Sequence, residues 1–135
     1  MTLAYIGNCF DGNPGDSFVR ERPMGSACNT FKAVSPGLSG TPGTISLESA
    51  LSPGYFLRHQ GSVVKLHDLT SPSSQEQLDA SFFPVESVDN PGWYQFQSEN
   101  FPTHKIARNT NQGLNIVTDD GSTAFAGRSL FVYHR

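Results

Sequence analysis

The chain has 135 residues, a formal net charge of −3 and only 16% charged residues. That length suits one domain with a core of its own, and the weak negative charge gives no reason to expect a nucleic acid or an anionic membrane as partner. No apolar run approaches the roughly 18 residues of a membrane span, and 13 Gly, 9 Pro and 10 Phe give the profile of an all-β, turn-rich protein.

The first residues lack the basic start and apolar stretch of a signal peptide. The sequence therefore reads as an intracellular protein or as a domain cut from a longer secreted one. The absence of an Asn-x-Ser/Thr sequon favours the first. Cys9 and Cys28 can form one disulfide or lie as two buried thiols, and two cysteines leave the compartment open.

Taken in chain order, the first signals are an Asn13-Pro14-Gly15 turn followed by Phe18-Val19-Arg20-Glu21, then Cys28-Asn29-Thr30-Phe31. Thr44–Ser49 alternates, with Ile45 and Leu47 against Ser46 and Glu48. Tyr55–His59 is a short aromatic-aliphatic strand after Pro53-Gly54, and Ser62–His67 puts Val64 and Leu66 on one face. Ser71–Leu78 is the only candidate for a helical turn. Ser81–Val85 then gives a strand around Phe82. The series continues with Trp93–Ser98, Lys105–Arg108, Leu114–Val117 and Ser129–His134.

These signals repeat. Residues 42–82 align with 91–131 at an offset of 49: Pro42-Gly43 falls on Pro91-Gly92, Ser49 on Ser98, Leu57 on Ile106 and Phe82 on Phe131. A shortened copy at the N-terminus matches Phe18–Glu21 to Phe56–His59 and Cys28–Phe31 to Asp79–Phe82. It lacks the stretch of the third strand, so its cap hairpin is predicted absent or vestigial. One copy cannot bury its own apolar face. The expectation is an all-β, single-domain β-trefoil spanning residues 1–135, with repeats near 1–41, 42–90 and 91–135. Phe31, Phe82 and Phe131 are expected to meet in its core.

Ser46-Leu47-Glu48-Ser49, Pro53-Gly54-Tyr55-Phe56-Leu57-Arg58-His59 and Asp79-Ala80-Ser81-Phe82 resemble the repeated pattern of a known family. It is the arabinofuranose-binding module of α-L-arabinofuranosidase B enzymes, carbohydrate-binding family 42. Pro36–Gly40 is similar to its linker between repeats. The resemblance implies a trefoil whose pockets hold a terminal arabinofuranose through the His of Leu-Arg-His and the Asp of Asp-Ala-Thr-Phe. Carried over, these are His59 and Asp79. The carboxylate accepts from two ring hydroxyls and the imidazole serves a third. Tyr55 and Phe56 are the candidates for an apolar wall against the sugar.

Departures from the pattern leave at most one such pocket. The first copy has Glu21 and Cys28 at the two positions. The last has Arg108 and Arg128, which cannot accept hydrogen bonds. Blander readings stand beside these. His59 with Asp79 is also what a structural tie between strands looks like, and Arg58 reads as a strand-to-loop tie. Arg108 and Arg128 read as solvated charges, or as an anion site. His67, Asp68 and His104 read as surface hairpin residues, Trp93 as core rim, and Asp119-Asp120-Gly121 as a turn and not a calcium loop.

No catalytic motif is present, and the resemblance implies that the two-carboxylate cleft of a glycosidase belongs to a separate domain. The chain reads as non-enzymatic, with no cofactor and no metal. Two functions remain: a lectin-like glycan-binding module, and a degenerate trefoil acting as a protein-interaction or structural domain. The first predicts weak, calcium-independent binding that His59→Ala or Asp79→Ala abolishes while the fold survives.

Overall fold

The computed structural model describes residues 2–5, 8–23, 31–110, 112–122, 124–125, 129 and 131–134, and of 2–5, 8–9, 21–23 and 132–134 the backbone only. Cys28 and Arg128 lie outside the described residues, and the side chains of Cys9 and Glu21 are not described. The expectations placed on these four therefore stay untested.

The architecture is all-β. Strands β1 (Thr2–Tyr5), β2 (Asn8–Gly12), β3 (Val19–Pro23) and β4 (Phe31–Val34) are followed by β5 (Ser46–Ser49), β6 (Tyr55–Gln60) and β7 (Val63–Asp68). A six-residue helix, α1 (Ser74–Asp79), precedes β8 (Phe82–Glu86). Then come β9 (Trp93–Ser98), β10 (His104–Arg108), β11 (Leu114–Thr118) and β12 (Phe131–His134). All pair antiparallel in the order β3-β2-β1-β12-β9-β10-β11-β7-β6-β5-β4, with β8 on β9. Strand β1, unmarked in the sequence reading, pairs Thr2 with His134 and joins the two ends of the chain. Residues 24–30, between β3 and β4, lie outside the described residues, and with them the expectation of an absent or vestigial cap hairpin.

The two hairpins that the sequence aligns at an offset of 49 differ in register by one residue. Leu57 faces Leu66 in the β6–β7 hairpin, whereas Ile106 faces Ile116 in β10–β11. The turn before β11 is one residue longer, so the offset rises to 50 there and returns to 49 at Phe131.

Pro-Gly dipeptides make the corners. Tyr55 N–H donates to Ser52 O at 3.0 Å, with Gly54 at φ +90°. This is a type II turn with Pro at its second position and Gly at its third. Asn90–Trp93 and Thr41–Thr44 repeat it, with Gly92 at φ +88° and Gly43 at φ +86°. At Gly54 a Cβ would also lie 2.5 Å from Thr70 Cγ2. Gly54→Ala is therefore expected to lower stability by about 1–3 kcal/mol, read as a lower urea midpoint at unchanged m-value.

Phe10, Phe31, Leu47, Leu57, Leu66, Phe82, Phe96, Ile106 and Phe131, all fully buried, form the centre of one core cluster. Phe31, Phe82 and Phe131, the three phenylalanines expected in the core, all belong to this cluster. A smaller satellite of Phe56, Leu69 and Ala80, joined by Val34 and Leu38, packs beside it.

Candidate functional site

Three local structures converge on His59 and Asp79. The end of β6 supplies Arg58 and His59. Helix α1 supplies Asp79 as its last residue, and its start is fixed by a capping box between Ser73 and Glu76. The turn between β9 and β10 supplies Asn100 and Phe101. Arg58, His59, Asp79 and Phe101, with Gly61, Gln75 and His104, line a cavity of about 400 Å³, and Asn100 stands behind them as a hydrogen-bond partner of His59 and Asp79.

Asp79 is the hub. Its Oδ2 accepts from Arg58 Nη2 at 2.7 Å, and its Oδ1 accepts from Asn100 Nδ2 at 2.9 Å and from Gln75 Nε2 at 3.0 Å. Asn100 is thereby oriented with its amide toward Asp79 and its carbonyl toward His59, 2.9 Å from Nε2. The imidazole must donate from Nε2, which leaves Nδ1 the acceptor. Nε2 of His59 lies 3.7 Å from Asp79 Oδ1. Asn100 thus bridges the two groups that the sequence singled out.

Burial would raise the Asp79 carboxyl, but the bonds from Arg58, Asn100 and Gln75 outweigh it and hold the group below the usual carboxylate value. Burial is also the leading effect on His59 and lowers its pKa below 6.5, against the opposing pull of Asn100 and Asp79. At neutral pH the cavity therefore presents a carboxylate, a guanidinium and a neutral imidazole.

The sign for stability follows. His59 binds its proton more weakly folded than unfolded, so its contribution is complete above pH 6.5 and is lost as pH falls through the folded value. His67, lowered first by burial and then by Arg58, acts in the same direction. The urea midpoint is expected to drop as pH falls below about 6.5, and His59→Gln should flatten part of that slope. An unchanged slope in the variant would mean that His59 titrates as an ordinary surface histidine.

The wall of the cavity differs from the sequence expectation. Tyr55 and Phe56 are not among its lining residues. Tyr55 packs on the main core and Phe56 in the satellite cluster, 7% exposed. The aromatic at the cavity is Phe101, 47% exposed, its ring centroid 5.4 Å from the His59 imidazole and 5.9 Å from that of His104. His104, expected as a surface residue, lines the cavity, and His67 Nδ1 lies 3.3 Å from Arg58 Nη1. The sequence did carry one signal for the missed group. Asn100-Phe101-Pro102 aligns with Leu51-Ser52-Pro53 at the offset of 49 and puts a polar amide where the middle copy has Leu51. Trp93 is half-buried, and Asp119 Oδ1 accepts from Gly121 N–H in a tight turn.

The model of the alpha-L-arabinofuranosidase B (ABFB) domain family matches residues 21–132. No curated protein matches the sequence. Among solved structures, an arabinofuranosidase complexed with arabinofuranosyl-alpha-1,2-xylobiose superimposes with a TM-score of 0.77 at 21% identity, over 97% of this chain and 30% of that one. The chain thus spans about a third of that enzyme's length. SeviL bound to asialo-GM1 saccharide gives 0.64 at 16% identity, over 96% and 90%. The cytolethal distending toxin of Actinobacillus actinomycetemcomitans gives 0.71 at 14%, over 98% and 88%. At these identities the likeness is one of fold.

Proposed function

Since the chain belongs to the alpha-L-arabinofuranosidase B domain family, we propose that it is a non-catalytic carbohydrate-binding module, a single trefoil domain with one sugar pocket at His59 and Asp79. The ligand is a terminal arabinofuranose or a similar sugar ring at the end of a glycan. The observation that carries this reading is the cavity itself. It sets the Asp79 carboxylate, the Arg58 guanidinium and the His59 imidazole beside a half-exposed phenylalanine. Hydroxyls need donors and acceptors close together, and the C–H face of a sugar needs an aromatic. Phe101 takes the part expected of Tyr55 and Phe56. Similarity to glycan-bound trefoils supports the reading at the level of fold.

Calorimetry with arabinofuranosyl-xylobiose tests it. His59→Ala is expected to weaken binding about 10–100-fold through the lost hydrogen bond and packing, while far-UV spectra stay unchanged. His59→Gln, which keeps a donor toward Asn100, should fall between. Full affinity in His59→Ala would move the sugar elsewhere. A folded protein that binds no glycan would favour the second reading, a protein-interaction domain, and Phe18, 48% exposed with Arg20 and Lys65 over its ring, would be its first candidate contact.

A further inference from the structure

The satellite cluster has a counterpart in the last copy, and it has changed character as a unit. Tyr55 pairs with Asp68 as His104 pairs with Thr118, and Leu69 N–H donates to Gly54 O as Asp119 N–H does to Thr103 O. Leu69 therefore corresponds to Asp119. At the offset of 49, Phe56 corresponds to Lys105, Ala80 to Ser129 and Ser46 to Gln95. Three buried apolar residues have become an ammonium, a carboxylate and a hydroxyl.

The polar set is fully connected. Lys105 Nζ donates to Asp119 Oδ2 at 2.9 Å and to Gln95 Oε1 at 2.8 Å, and Gln95 Nε2 donates to Ser129 Oγ at 2.8 Å. The linker has changed with it. From Val34 to Ser46 it is two residues longer than from Val85 to Gln95, although both pairs face each other across equivalent ladders. In the longer linker Leu38 packs onto the apolar cluster. In the shorter one Val88 stays 94% exposed. Beside the shorter linker lies a cavity of about 340 Å³, walled by residues 85–90, Gln95, Asp119, Gly121, Ser122 and the buried Phe125.

We propose that this cavity is a second saccharide site, separate from the His59 cavity and from the position of Arg108, taking one neutral sugar ring. Gln95 and Asp119, both bonded to Lys105 Nζ, stand on the wall of the cavity and match a vicinal diol, one hydroxyl accepting from the Gln95 amide and its neighbour donating to the carboxylate. Gln95 Nε2 has two protons and one bond here, and Asp119 retains lone pairs beyond its bonds to Lys105 and Gly121. Phe125 and the exposed Val85 and Val88 offer the apolar contact for ring carbons. Two sites on one domain would let a branched glycan bind with avidity.

Amide-resolved NMR titration of the intact chain is the test, with methyl α-L-arabinofuranoside, methyl β-D-xylopyranoside and methyl β-D-galactopyranoside as probes. At least one probe should shift Val88, Asp89, Gly121 and Ser122 along a saturation curve separate from that of Gly61, Ser62 and Phe101. Ser87→Leu, which restores a leucine to the linker, should abolish the first set and leave the second. Asp119→Asn, which keeps shape, should weaken the first set about tenfold. No shift near Asp119 with any probe overturns the proposal. So do shifts there that survive both variants, or that vanish in His59→Gln. Failure of the His59 cavity to bind would appear as silence in the other set alone.

Discussion

Asp79→Ala is expected to cost the fold about 3–5 kcal/mol as well as abolishing sugar binding. The carboxylate is 5% exposed and its partner Arg58 is 8% exposed. Arg58 Nη2 donates to it at 2.7 Å, and Arg58 Nε already has no hydrogen-bond partner among the described residues. Removing Asp79 leaves the buried guanidinium with only His67 Nδ1 at 3.3 Å and the more distant Glu76 Oε2 at 3.9 Å, and frees Gln75 and Asn100 together. Asn100 then loses the bond that orients it toward His59. The sequence expectation that this variant leaves the fold untouched treats Asp79 as a ligand group alone, whereas its bonds to Arg58, Asn100 and Gln75 make it a structural tie as well as the proposed ligand group.

Two further variants separate these roles in urea denaturation. Asp79→Asn keeps the shape and an acceptor, so it should lose less stability than Asp79→Ala. The double replacement Arg58→Leu, Asp79→Leu removes both charges and should recover much of the loss, because the desolvation cost of the pair disappears with it. Sugar binding should stay absent in the double variant. An unfolding midpoint for Asp79→Ala equal to that of the parent would show that solvent already reaches the pair.

How much of this was legible depended on how local each signal was. The corners were, since a type II turn demands the φ that Gly supplies after Pro. The helix was, since Ser73-x-x-Glu76 is a capping signature, and Asp79 closes that helix five residues after its start at Ser74. The core positions followed from alternation on strands. The partners of the pocket did not, because Asn100, Phe101 and His104 come from the next copy and meet His59 only through the pairing of non-adjacent strands. The placing of Tyr55 and Phe56 failed for a metric reason. Strand residues rise about 3.3 Å each, so Tyr55 stands about 13 Å along β6 from His59, at the opposite end of the strand. The one-residue shift in β11 hid that Asp119 replaces Leu69.

The core phenylalanines carry the other large effect. Phe82→Ala and Phe96→Ala should each cost about 3–5 kcal/mol, since both rings are fully buried and the walls around them come from paired strands that cannot collapse inward. The two differ in what they touch. Phe96 packs on Phe131, with centroids 6.1 Å apart, and Phe131 meets Phe10 edge-on at 5.7 Å. Phe82 instead meets the His59 ring edge-on at 6.5 Å, and its backbone exchanges hydrogen bonds with Ile45 at 2.8 and 3.0 Å. Truncating Phe82 removes the floor under the imidazole, while truncating Phe96 opens a cavity away from it. Urea midpoints should therefore fall alike, and sugar affinity measured well below the unfolding transition should fall only in Phe82→Ala. Equal affinities in the two variants would mean that Asn100 alone holds His59 in place. The bond from Nε2 to Asn100, and not the packing beneath the ring, would then be what makes the pocket rigid.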